Sequence, residues 1–88
     1  MKNNDAIMII TGTRKGIGRA LCEYYLKKGF TVIGCSRKES NLADDNYYHY
    51  QLDIADEKRV IAMIKNVAKR FGRIDVLINN AGIASMNH

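Results

Sequence analysis

The feature that most constrains this chain is the segment Thr11-Gly12-Thr13-Arg14-Lys15-Gly16-Ile17-Gly18, three glycines in the spacing G-x-x-x-G-x-G between two different hydrophobic patterns. Ahead of it, Ala6 to Ile10 is a short continuous apolar run, which suits a strand buried on both faces of a parallel sheet. Behind it the period becomes helical. Ile17, Ala20, Leu21, Tyr24 and Tyr25 are expected on one inward face, with Arg19, Glu23 and Lys27 turned away. Each glycine has a task in such a turn: Gly12 turns the chain, Gly16 lets backbone approach a phosphate, and Gly18 lets the helix pack closely on the strand. The amides at the helix start, with the helix dipole behind them, form an anion site. A lone glycine triplet is weak evidence, but between a buried strand and an amphipathic helix it becomes a fingerprint. No Gly-Lys-Ser/Thr follows Gly12 at the spacing of a phosphate-loop nucleotidase, which excludes that class.

Strand and helix patterns alternate through the rest of the chain. Lys27 and Lys28 complement the negative end of the first helix, and Gly29 stops it. Phe30 to Cys35 reads as a second strand, followed by a polar stretch from Ser36 to Asn46. Tyr47 to Leu52 alternates, with Tyr48, Tyr50 and Leu52 on one face and Tyr47, His49 and Gln51 on the other, as in a half-exposed edge strand. A second helix is expected from Asp56 to Arg70. It turns Val60, Ile64, Val67 and Phe71 inward, with Met63 and Ala68 beside them, and Gly72 ends it. Ile74 to Ile78 makes a fourth strand. Strands joined through helices of this length require right-handed crossovers and a parallel sheet. The expected fold is α/β, a partial Rossmann-like doubly wound arrangement of four parallel strands in the order 3-2-1-4 with at least two helices.

Composition narrows the function. The chain has 88 residues, too few for two domains of about 100–150 residues each. No apolar run is long enough for a secretory leader or a membrane-crossing helix. Two cysteines, Cys22 and Cys35, allow at most one bridge, so a reducing, cytoplasmic setting with both thiols free is expected. A net charge of +5 points to an anionic partner. The basic residues are scattered as pairs (Arg14-Lys15, Lys27-Lys28, Arg37-Lys38, Lys58-Arg59, Lys69-Arg70) and are not gathered with aromatics on one face, which argues against nucleic acid. His49 and His88 have no companions at metal-ligand spacing, so no metal site is expected.

The loop after the second strand is where a dinucleotide fold reads the adenosine ribose. A site for NAD places a carboxylate there to bond the free 2′-hydroxyl. This chain has Ser36-Arg37-Lys38. Arg37 can grip a 2′-phosphate with its planar fork, Ser36 can add a hydrogen bond, and Arg14 and Lys15 bring further positive charge. NADP(H) is therefore expected over NAD(H).

Thr11 to Gly18, Asp53-Ile54 after the third strand, and Asn79-Asn80-Ala81-Gly82 after the fourth together resemble the short-chain dehydrogenase/reductase family. The glycine spacing resembles its ordinary branch, which includes the 3-oxoacyl-acyl-carrier-protein reductases. The resemblance covers essentially the whole chain. It implies that Asp53 and Ile54 contact the adenine, that Asn80, Ala81 and Gly82 lie along the adenosine ribose, and that Asn79 braces the sheet. It also implies that the backbone around Ile17 sits near the pyrophosphate and nicotinamide. With Gly12, Thr13, Arg14, Lys15, Gly16, Gly18, Ser36 and Arg37, these complete the expected cofactor-binding set.

The same likeness implies reversible carbonyl/alcohol hydride transfer, with a Tyr and a Lys four residues later as acid machinery, aided by a Ser. In family members those residues follow the Asn-Asn-Ala-Gly strand, and this sequence ends six residues after Gly82. One Tyr-x-x-x-Lys occurs, Tyr24 to Lys28. It lies about 9 Å along the helix beyond Gly18, leading away from the phosphates, and is expected to pack against the core. No catalytic residue is assigned, and residues 1–88 are read as a truncated dinucleotide-binding domain. The alternative is a stand-alone nucleotide-binding module without catalysis. In either case the apolar fourth strand would be an open edge, and self-association there or through an apolar sheet face is expected.

Overall fold

A computed structural model of the chain describes residues 6–13 and 16–80. The elements run β1 (Ile7–Thr11), α1 (Gly16–Lys27), β2 (Thr31–Ser36), β3 (Tyr47–Gln51), α2 (Glu57–Phe71) and β4 (Val76–Ile78). The sheet has the order β3-β2-β1-β4 with every pairing parallel. Ile9 sits in register with Ile33 on one side and Leu77 on the other, and Ile33 with Tyr48. The expected α/β architecture and strand order are both present.

Burial explains why the central strands read as unbroken apolar runs. Ile9, Ile10, Val32 and Ile33 have no exposed surface, and each stabilises the fold by about 1.5–3 kcal/mol through removal from water. Side chains alternate between two faces. Ile7, Ile9, Ile33, Cys35 and Leu52 join Met63 and Val67 of α2, with Tyr48, Tyr50, Val60, Ile64 and Phe71 packed around them. Met8, Ile10, Val32 and Tyr47 join Cys22 of α1 on the other face, with Leu21, Tyr25, Leu26 and Leu42 alongside.

The α1 face differs from the sequence expectation. Gly18 and Cys22 are the buried residues of this helix, whereas Ile17 is 67% exposed, Tyr24 is 53% exposed and Ala20 is exposed. The helix meets the sheet through its small buried residues, with Leu21, Tyr25 and Leu26 packed beside that seam as expected for Leu21 and Tyr25, while Ile17 and Tyr24 turn outward. Tyr24 does not pack in the core: Lys28 Nζ lies 5.3 Å from its ring centroid, a cation–π contact at the far end of α1. On α2, Met63 and Val67 form the buried stripe and Ala68 is exposed. Asp56 is the N-cap, accepting from the Arg59 amide at 3.2 Å, and Gly72 closes the helix in the left-handed region at φ 81°.

The approach to β4 is clamped to the start of β1. The Asp75 amide donates to the Ile7 carbonyl at 2.9 Å and the Ile7 amide donates to Asp75 Oδ2 at 2.8 Å. Arg73 binds the same carboxylate at 2.8 Å. The Arg73 bond, then the Ile7 amide, holds the Asp75 carboxyl below its ordinary range. Among the described residues, no helix is long and apolar enough to cross a membrane.

Candidate functional site

In open parallel sheets ligands bind beyond the carboxyl ends of the strands, where the strand order reverses. Here that place lies above Thr11 of β1, between β2 and β4. Gly12 leaves β1 at φ 68°, a conformation that side-chain-bearing residues rarely adopt. Its amide and that of Thr13 both donate to the Cys35 carbonyl, at 2.9 and 3.3 Å, folding the loop over the end of β2. Gly16, at φ 65°, opens α1 with nothing within 4 Å of where a Cβ would stand. The first turn of α1 carries no acidic residue to compete for its free amides.

Gly18 has no room for a side chain. A Cβ there would lie 1.9 Å from the Gly12 carbonyl oxygen and 2.7 Å from Asn80 Nδ2. Asn80 uses that nitrogen to donate to the same Gly12 carbonyl at 3.2 Å. Thr11 Oγ1 donates to Asn79 Oδ1 at 3.0 Å, so both asparagines tie the end of β4 to the end of β1.

Beside this loop is a cavity of about 170 Å³ lined by Gly12, Cys35, Ser36, Arg37, Leu52, Asp53 and Ile54. Three segments singled out separately in the sequence thus meet around one space: the glycine loop, the end of β2 and the turn after β3. Arg37 is exposed, and among the described residues its guanidinium makes no hydrogen bond or ion pair. Asp53 does not cap α2. Its Oδ1 accepts from the Ala55 amide at 2.9 Å, which shapes the turn carrying Ile54. Ser36 lines the cavity, but its hydroxyl donates to the Lys38 carbonyl at 2.6 Å, so it shapes the loop that carries Arg37. Arg14, Lys15, Ala81 and Gly82 lie outside the described residues.

The structure also contains a polar chain that the sequence did not suggest. Thr13 Oγ1 meets Tyr47 Oη at 2.9 Å, Tyr47 Oη meets His49 Nδ1 at 2.7 Å, and His49 Nε2 meets the Lys38 carbonyl at 2.9 Å. A Cβ on Gly34 would stand 2.1 Å from Tyr47 Oη and 2.3 Å from Thr13 Oγ1. The glycine within β2 was the available signal, because such a residue marks a close approach by other groups. Neither cysteine is a nucleophile here. Burial pushes the Cys22 thiol up to about 12 and raises that of Cys35, so both stay protonated.

Residues 6–88 match the family model for short chain dehydrogenase. An uncharacterized oxidoreductase of Schizosaccharomyces pombe is 38% identical over 93% of this chain and 29% of its own length. The 3-oxoacyl-[acyl-carrier-protein] reductase of Salmonella typhimurium is 34% identical over 92% of this chain and 36% of its own. This chain therefore spans about a third of the relatives it matches. Among solved structures, ligand-free aldohexose dehydrogenase of Thermoplasma acidophilum aligns with a TM-score of 0.81 and 37% identity, over 86% of this chain and 29% of that one. ElxO with NADP bound aligns with a TM-score of 0.79 and 35% identity, over 88% and 35%. A short chain dehydrogenase of Leptospira borgpetersenii with bound NAD+ aligns with a TM-score of 0.78 and 26% identity, over 90% and 34%. With its glycine loop, strand order and paired asparagines, this chain belongs to the short chain dehydrogenase family.

Proposed function

We propose that this chain is the NADP(H)-binding portion of a short-chain-type oxidoreductase that interconverts carbonyls and alcohols. The observation that carries this reading is the convergence of Gly12, Arg37, Asp53 and Ile54 on one shared cavity, beside a helix start without acidic residues. In this reading the cavity takes an adenosine with a charged substituent on its ribose. Asp53 and Ile54 flank the base, Arg37 takes the 2′-phosphate, and the loop from Gly12 through Thr13, Arg14 and Lys15 to Gly16, Ile17 and Gly18 takes the pyrophosphate. Asn80, Ala81 and Gly82 line the ribose, with Asn80 also holding the loop closed through Gly12. When bound, the cofactor supplies or accepts the hydride; the residues of this chain bind it, orient it and choose between its phosphorylated and unphosphorylated forms.

For residues 1–88 alone we propose binding without turnover. Tyr24 and Lys28 pair with each other at the end of α1 opposite the glycine loop, so they provide no acid at the cofactor. β4 is hydrogen-bonded only to β1 among the described residues, and Leu77 is 56% exposed. That edge is where a further strand or a second copy would pair. A cytoplasmic location accords with the two free thiols.

The test is fluorescence titration of the protein with NADPH and with NADH. Arg37 opposite a phosphate predicts that NADPH binds about 10–100-fold more tightly, as one or two charge-assisted hydrogen bonds provide. Equal affinities would refute the assignment of Arg37. Binding of neither would refute the site.

A further inference from the structure

Two neighbouring carbonyls of the loop after β2 are held from β3. Gln51 Nε2 donates to the Arg37 carbonyl at 3.0 Å, and His49 Nε2 lies 2.9 Å from the Lys38 carbonyl and 2.9 Å from Ser36 Oγ. His49 and Gln51 are alternate residues of one strand and so project to the same face. The loop that presents Arg37 is thus pinned by its own carbonyl groups, while the guanidinium makes no hydrogen bond or ion pair among the described residues.

Donor and acceptor roles are fixed by chemistry. The Ser36 hydroxyl gives its proton to the Lys38 carbonyl at 2.6 Å, and a carbonyl only accepts, so His49 Nε2, in contact with both oxygens, carries the proton toward them. In the neutral ring Nδ1 is then the acceptor and takes the Tyr47 phenol proton, which leaves Tyr47 Oη to accept from Thr13 Oγ1. The chain runs in one direction, from the fully buried Thr13 beside the glycine loop, through Tyr47 at 8% exposure, to the 36–38 loop. It passes over Gly34, the residue of β2 whose missing side chain leaves space for it. The side chains of Phe30, Leu42 and Val32 on this face are apolar and pack against the core without a hydrogen-bonding group to extend the chain.

We infer that His49 is a positioning residue for cofactor selection, setting the 36–38 loop that aims Arg37 and coupling it through Tyr47 and Thr13 to the glycine loop. Its consequence for affinity rests on the NADP(H) reading; its geometry does not.

Two measurements separate these. The first is nitrogen-15 NMR of the cofactor-free protein, wild type, His49→Leu and His49→Gln. In the wild type the neutral ring carries its proton on Nε2; a proton on Nδ1 overturns the inference. The Arg37 and Lys38 amides become more mobile on the nanosecond scale in His49→Leu. In His49→Gln, where an amide can again donate to Lys38, they stay near wild type. Unchanged mobility in His49→Leu, or equal loosening in both variants, overturns it.

The second is titration of the same three proteins with NADPH and NADH. His49→Leu weakens NADPH binding about tenfold, as loss of one hydrogen bond would, and changes NADH binding less than about threefold; His49→Gln recovers most of the loss. Equal losses for both cofactors overturn the role in selection. If the wild type binds both alike while the NMR result is as expected, the NADP(H) reading fails and the loop-positioning role of His49 stands.

Discussion

Asn80 Nδ2 donates to the carbonyl of Gly12 across 3.2 Å of space and 68 residues of chain. That bond places the end of β4 beside the turn that leaves β1, and it occupies the gap that Gly18 keeps open. Glycine at position 18 and asparagine at position 80 are therefore two halves of one contact, and the glycine loop owes its shape to both.

Gly18→Ala tests this contact. The added methyl would stand 1.9 Å from the Gly12 carbonyl oxygen, a backbone atom with little freedom to yield. We predict a loss of about 1–3 kcal/mol in urea unfolding, as for other overpacked sites. The Asn80 side-chain amide should shift strongly in the NMR spectrum. Gly16→Ala meets open space and should cost less, confined to its backbone conformation at φ 65°.

Arg37→Ala removes the cation at the cavity without touching the core. It should lower NADPH affinity about 10–100-fold and leave NADH affinity and the unfolding midpoint near wild type. Arg37→Lys should recover only part of the loss, because an ammonium lacks the planar fork.

Gly34→Ala places a methyl between Thr13 and Tyr47. We predict about 1–3 kcal/mol of destabilisation. Thr13→Val, which keeps the shape but removes the hydroxyl, should cost about 1 kcal/mol. Thermal or urea denaturation measures both.

Stability should fall in alkali. Burial raises Cys22 from 9.0 to about 12 and Tyr47 from 10.0 to about 12. Both are neutral in the fold and ionise more readily when unfolded, so the unfolded state loses protons first. The stability they contribute is complete below pH 9 and is lost as pH rises from there to about 12. Cys22→Ala should flatten the lower part of that decline when unfolding is followed against pH.

The strand order was legible because Ile9, Ile10, Val32 and Ile33 form runs apolar on both faces, and because the glycine loop says where β1 ends. The cavity was legible for the same reason: in a parallel sheet, the residues just after each strand end meet at one edge. The face of α1 was legible only in part, since Leu21 and Tyr25 do pack beside the buried seam. A pattern weighted toward large apolar residues picks out Ile17 and Tyr24, while the true seam runs through Gly18 and Cys22, whose value is their smallness. The Thr13–Tyr47–His49 chain was hidden too. Alternation along β3 separated Tyr47 and His49 from Tyr48 and Tyr50, but the partners on the other loops follow only from the parallel register of β2 and β3.

The most direct measurement is NMR mapping of the protein with 2′,5′-ADP, compared with 5′-AMP, which lacks the 2′-phosphate. The account predicts amide shifts centred on Gly12, Arg37, Asp53 and Ile54, with 2′,5′-ADP binding at least tenfold more tightly. Shifts centred elsewhere, or equal affinity for the two nucleotides, would contradict it.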